Sequence, residues 1–153
     1  MAIFYDTDCL SCFIMVNQTW ILEQLYDKII IPKQVYNEFK RPKNNKRIQK
    51  IKQLEKKGFL IIKSFEINTK EHYTYKQIRD GDITGRDIGP GESAALTLAI
   101  HNNGIIASNN TKDVIEIVKL YKLQWIKTGD ILKKAIEKEI ITLDKEMKYG
   151  KTC

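Results

Sequence analysis

No apolar run in this chain approaches the roughly 20 residues that a bilayer span requires. The opening Met-Ala-Ile-Phe-Tyr-Asp lacks the basic flank and cleavage site of a secretory leader. Cysteine is scarce, three in 153 residues, which excludes a disulfide framework. These absences point to reduced thiols and a cytoplasmic, non-membrane protein. Histidine is limited to His72 and His101, and no second Cys-x-x-Cys accompanies Cys9-Leu10-Ser11-Cys12, so the residues of a structural zinc site are missing. That one pair has thioredoxin-type spacing without the central Gly-Pro or flanking Trp of that family. Both thiols therefore read as small apolar residues of a buried helix, and a redox role would predict a Cys9–Cys12 disulfide. Gly89-Pro90-Gly91 lacks the lysine and the serine or threonine of a phosphate-binding loop, so it reads as a helix start. Internal repeats, low-complexity tracts and linkers are absent too, and residues 1–153 read as one domain.

What is present is an ordinary core with an uneven charge. With 42% hydrophobic and 29% charged residues, the chain can remove roughly 68–70% of its unfolded surface from water. The net charge is +7, and residues 40–57 hold nine basic side chains against the single acid Glu55. That segment carries +8, so the remainder is close to neutral. A block of this kind attracts polyanions through counterion release and long-range steering. A solvated helix face accounts for the same composition about equally well.

Short β-branched runs alternate with amphipathic stretches. Residues 3–5, 29–31, 60–62, 105–107 and 123–126 read as buried strands. Helical patterns fall over 11–26, 33–39, 46–57, 69–79, 92–102, 111–121 and 129–138. Such alternation predicts an α/β fold, a parallel sheet of about five strands flanked by helices. Residues 80–91 are the least regular and read as a flexible surface loop, and residues from about 142 to 153 as a frayed tail.

In an open α/β sheet, ligands bind beyond the carboxyl ends of the strands. Asp6 and Asp8 follow the first strand there, and Ser108, Asn109 and Asn110 follow the fourth, with Asp113 one turn later. Glu38 borders the Val35/Phe39 stripe, and Glu92 opens a stripe of small apolar residues. Each acid has an ordinary explanation. Glu92 complements a helix dipole, Asn110 with Asp113 forms a cap, Asp8 caps the first helix, and Glu38 is half-exposed. Asp6 is different, because no capping or dipole role is evident for an acid that ends an apolar strand. Converging carboxylates repel one another unless a cation lies between them, and oxygen donors suit Mg²⁺ or Mn²⁺.

With these blocks in order, the sequence resembles the PIN-domain family of metal-dependent ribonucleases, VapC-type toxins among them. Ile3-Phe4-Tyr5-Asp6-Thr7-Asp8 is similar to that family's first strand and essential aspartate. Ile29–Pro32 with Val35-Tyr36-Asn37-Glu38 is similar to its second block, and Gly91-Glu92-Ser93-Ala94-Ala95-Leu96 to the block that opens a later helix. Ile105 to Asn110 falls where many members carry a threonine and one or two aspartates. The resemblance implies Mg²⁺ or Mn²⁺ held by Asp6, Glu92 and Asp113, with Glu38 at the edge of the catalytic cluster. Asp8, Ser108, Asn109 and Asn110 would support the acids or the substrate. It implies RNA cleaved by a metal-activated water, leaving a 5′-phosphate and a 3′-hydroxyl. Arg41, Lys43, Lys46, Arg47 and Lys50 would then bind the RNA backbone without reading sequence. An antitoxin protein and a second copy of the chain are the further partners it brings into view. The chain departs from the pattern at Asn109 and Asn110, where an acid is common. A neutral amide there weakens a second metal site more than the first, and the alternative is a PIN fold that binds RNA or a partner without cutting.

Overall fold

Apolar triplets and quartets become the strands of a central sheet because both of its faces are covered by helices. The computed structural model describes residues 1–142; all but the first residue of the expected tail lies outside them. Five strands, β1 (Ile3–Tyr5), β2 (Ile29–Pro32), β3 (Leu60–Lys63), β4 (Ile105–Ala107) and β5 (Gln124–Ile126), lie parallel in the order β3-β2-β1-β4-β5. The helices are α1 (Thr7–Met15), α2 (Thr19–Leu25), α3 (Lys33–Phe39), α4 (Asn45–Lys56), α5 (Lys70–Arg79), α6 (Pro90–His101), α7 (Thr111–Tyr121) and α8 (Thr128–Glu137). None of them is long and apolar enough to cross a membrane.

The period-two alternation of the strands divides the core. Ile3, Tyr5, Ile29, Ile31 and Leu60 face one side and pack with α1, α2, α3, α4 and α8 through Leu10, Leu22, Phe39, Ile51 and Leu132. Phe4 and Ile106 face the other side, against Ile78 of α5, Leu96 and Ala99 of α6, and Val114 and Ile117 of α7. Helix α6 is buried almost all round, from Ser93 to Ala99, which its small residues permit. The chain runs outward from β1 to β3 and then returns to the other side of β1 as β4. The β1/β4 boundary is therefore the switch point, where the crevice of an open α/β sheet forms.

Two expectations are corrected. The single helix over 11–26 is two helices, starting at Thr7 and broken after Met15, where Asn17 adopts a left-handed φ of 54°. The early start comes from Asp6, which does cap α1: its side chain accepts the Cys9 N–H at 2.8 Å. Asp8 is not the cap but an exposed residue of the first turn. The loop between α5 and α6 carries backbone hydrogen bonds from Asp82 N to Gln77 O (3.0 Å) and from Ile88 N to Arg79 O (3.2 Å), with Ile88 buried. Its turn needs Gly81, which has φ +84° and lies against the Arg86 backbone.

Gly104 precedes β4, and a Cβ there would lie 2.5 Å from the Phe4 ring and 2.8 Å from the Ala2 carbonyl. Gly104→Ala is expected to cost about 1–3 kcal/mol, read as a lower urea midpoint at unchanged slope. In Gly129→Ala the new methyl meets nothing within 4 Å, and the first turn of α8 gains up to about 1 kcal/mol.

Candidate active site

The switch point gathers the acids. Asp6, Glu38, Glu92 and Asp113, from four separate stretches of sequence, line one cavity of about 210 Å³ together with Thr7, Asp8, Gly89 and Asn110. Asp6 is placed by the end of β1 and by its capping bond, and only 4% of it is exposed. Glu92 is placed by the first turn of α6, which Pro90 starts. Ser108 follows β4 and is fully buried; its backbone carbonyl accepts from the Trp125 indole at 2.9 Å. Its hydroxyl donates to Glu92 Oε1 at 2.7 Å and also supports the Asp6 carboxylate.

Asn110 has two roles. Its Oδ1 accepts from the Asp113 N–H as the cap of α7, while its Nδ2 donates to Asp113 Oδ2 at 2.6 Å and to Glu92 Oε2 at 3.2 Å. Where an aspartate would add a negative charge, this amide bridges two existing ones. Arg86 supplies the only cationic contact recorded for Asp113 among the described residues, with Nε 3.4 Å from Oδ1. Glu38 accepts hydrogen bonds from the Thr7 hydroxyl and from the Gly91 N–H at 3.1 Å.

Burial and crowding raise the proton affinity of two acids. Asp6 is pushed up to about 6, chiefly by burial; Ser108 and the Cys9 N–H oppose this, and Asp8 and Glu38 add to it. Glu92 is pushed up to about 8, again first by burial and then by the charges of Asp6 and Asp113, against the Ser108 hydrogen bond. Like charges that raise one another in an oxygen-lined cavity are the donor chemistry that hard divalent cations relieve. Among the described residues, no three His, Cys, Asp or Glu side chains already form a metal cage. The carboxylate oxygens are engaged instead by Ser108, Asn110 and Arg86, so a cation would draw them from these partners. The donor set fits Mg²⁺ or Mn²⁺ in kind.

Asn109 does not join the site. Its Oδ1 accepts the Thr128 N–H at 2.8 Å and its Nδ2 donates to Thr128 Oγ1 at 2.7 Å, which secures the start of α8. Cys9 and Cys12 are buried beside it, with Cys9 Sγ 3.6 Å from Thr128 Oγ1, and no disulfide joins them. The basic residues divide between two further cavities. Arg41, Lys43 and Arg47 line one of about 250 Å³, whose wall shares Thr7, Asp8 and Glu38 with the acidic cavity. Lys46 and Lys50 line another of about 630 Å³, which shares Met15, Lys43 and Arg47 with the last. Sequence reasoning missed Thr7 and Arg86, whose partners lie 31 and 27 residues away. Gly91 held an unread signal: a Cβ there would lie 2.6 Å from Glu38 Oε1.

Fold and site together define a layered parallel α/β protein that collects carboxylates at the carboxyl ends of its two central strands. A PIN-domain family model matches residues 2–148, and the chain belongs to the PIN-domain family. No curated protein matches it significantly. Among solved structures, it is similar to VapBC-1 from nontypeable Haemophilus influenzae (TM-score 0.58, 19% identity, covering 84% of this chain and 98% of that one). It is also similar to VapBC2 from Rickettsia felis bound to a DNA fragment from their promoter (TM-score 0.55, 19% identity, 83% and 98%). A third is FitAB bound to an IR36 DNA fragment (TM-score 0.54, 14% identity, 82% and 94%). These likenesses establish the fold.

An acid whose folded pKa is raised stabilises the fold below its unfolded pKa, near 4.5, and loses that contribution as pH rises toward the folded value of about 8. In EDTA, the parent protein is expected to lose thermal stability between pH 5 and pH 8 more steeply than Glu92→Gln. At pH 8 the variant should melt at least about 3 °C higher, about 1 kcal/mol for a domain of this size. Identical pH profiles by calorimetry would contradict the assignment of a strained Glu92.

Proposed function

We propose that this chain is a Mg²⁺- or Mn²⁺-dependent endoribonuclease and the toxin of a bacterial toxin–antitoxin pair. The observation that carries the reading is the meeting of Asp6, Glu38, Glu92 and Asp113 on one cavity, next to a cavity lined by Arg41, Lys43 and Arg47. Membership of the PIN-domain family supports a nuclease, and the fold shared with VapBC and FitAB proteins supports an antitoxin partner.

Asp6, Glu92 and Asp113 would hold the cation. When bound, it activates water and neutralises charge that builds on the phosphate. The remaining tasks belong to the chain. Ser108 keeps Glu92 turned toward Asp6, and Arg86 keeps Asp113 at the cavity. Glu38, fixed by Thr7 and the Gly91 N–H, sets the rim on the basic side and orients water there. Arg41, Lys43, Lys46, Arg47 and Lys50 take the RNA backbone as phosphate contacts, which position the strand. In the reaction, the water oxygen bonds to phosphorus and the P–O3′ bond breaks. The water gives up one proton and the departing O3′ takes one up, leaving a 3′-hydroxyl and a 5′-phosphate.

The bridging amide of Asn110 favours a second reading, a PIN fold that binds RNA without cutting it. One set of experiments separates the two. Purified protein with RNA and Mn²⁺ is expected to yield 5′-phosphorylated fragments, and EDTA to stop the reaction. Asp6→Asn and Glu92→Gln should each lower the rate at least about a hundredfold, beyond the about 10- to 100-fold typical of partners that only orient metal ligands. Intact RNA alongside retained binding supports the second reading. Expression in a bacterial host should arrest growth, and Asp6→Asn should relieve the arrest.

Asn110→Asp keeps a capping residue and adds an anionic oxygen between Glu92 and Asp113. Calorimetric Mn²⁺ affinity is expected to rise about tenfold, because ligand charge tunes hard-cation sites. An unchanged or weaker affinity would remove Asn110 from the metal environment.

A further inference from the structure

The cavity of about 630 Å³ between the end of α1 and the start of α4 has a chemistry that phosphate positioning alone does not require. Ile14, Met15 and Pro42 form an apolar part of its wall, which Asn17 and Asn45 also line. Its cationic side holds Lys43, Lys46 and Arg47. Met15 is 54% exposed, an apolar side chain left open to solvent beside a run of positive charge. Arg47 is fixed there: its Nη1 donates to Asn44 Oδ1 at 2.6 Å, and Asn44 Nδ2 donates to the Glu38 carbonyl at 2.7 Å. The last residue of that relay, Glu38, lines the acidic cavity. The wide cavity is thus tied to the candidate active site and adjoins the smaller basic one across Met15, Lys43 and Arg47.

We propose that this cavity is a nucleotide subsite, in which one base of single-stranded RNA lies on Ile14, Met15 and Pro42 while the flanking phosphates meet Lys43, Lys46 and Arg47. An apolar platform, amide edges and cations correspond to the face, edge and phosphate of a nucleotide. The volume lies within the roughly 300–1,000 Å³ of small-molecule sites. Only an unpaired, unstacked base can enter, so the substrate is single-stranded at this point. The inference rests on the nuclease reading for the identity of its ligand, and it adds base recognition to an interface otherwise made of backbone contacts. An acidic, apolar-anchored protein segment is the competing occupant; it accounts for the cations and Met15 but gives no reason for the link from Arg47 through Asn44 to Glu38 at the acidic cavity.

The test uses the full chain in EDTA, where cleavage does not intervene. Fluorescence anisotropy is measured with a nine-nucleotide single-stranded RNA and with versions carrying one abasic ribose at each position in turn. Loss of the base at one position is expected to weaken binding at least about fivefold, as the loss of one stacked base does. Met15→Ala should abolish that difference at unchanged salt dependence, whereas Lys43→Ala should lower the salt slope by about one phosphate contact. In ¹³C-methyl spectra, the Met15 signal should shift with the RNA. Equal binding of all abasic ligands, or a Met15 shift caused by an acidic peptide and not by RNA, overturns the subsite. Absence of any RNA binding would instead remove the nuclease reading on which it rests.

Discussion

The site depends on the repulsion between a buried and a half-buried carboxylate, Asp6 at the end of β1 and Glu92 at the start of α6. Neither can move away. Asp6 is held by the α1 N-terminus through the Cys9 N–H, and Glu92 belongs to a helix buried in the core from Ser93 to Ala99. The backbone thus maintains a concentration of negative charge that the side chains, left to themselves, would disperse. Its electrostatic signature is the raised proton affinity of both acids.

Neutral and cationic donors make this arrangement tolerable. The Ser108 hydroxyl, the Asn110 amide and the Arg86 guanidinium each occupy an oxygen that would otherwise be desolvated and unpaired. Asn110 is the most informative of the three, because one side chain caps α7 with its oxygen and bridges two acids with its nitrogen. A residue that caps a helix can therefore also tune a cavity. Asp6 combines roles in the same way, since its capping bond is what aims it at the switch point.

Charge also divides the surface along one line. The acidic cavity shares Thr7, Asp8 and Glu38 with a basic one, and that cavity shares Met15, Lys43 and Arg47 with the wider one. Asn44, buried between them, ties the basic segment to the backbone of α3. The backbone of the +8 segment is thereby tied to α3 and Arg47 is held by Asn44, so the segment is not a loose polycationic arm.

Much of this was legible along the chain. The β-branched triplets and the spacing of apolar residues determined five strands, most helix limits and the parallel class, because burial on both faces leaves little choice of pattern. The same spacing marked Asp6, Glu38, Glu92 and Asp113 as acids beside buried stripes. What it could not determine was the direction of each polar side chain. Asn109 and Asn110 are chemically identical neighbours, yet one secures α8 and the other enters the cavity. Thr7 and Arg86 acquire their partners only when β1, α3 and α7 are brought together. Local pattern records which face of an element is buried. Only the packed sheet decides which side chains from distant segments share a hydrogen bond, because that depends on distances of a few ångströms that no periodicity encodes.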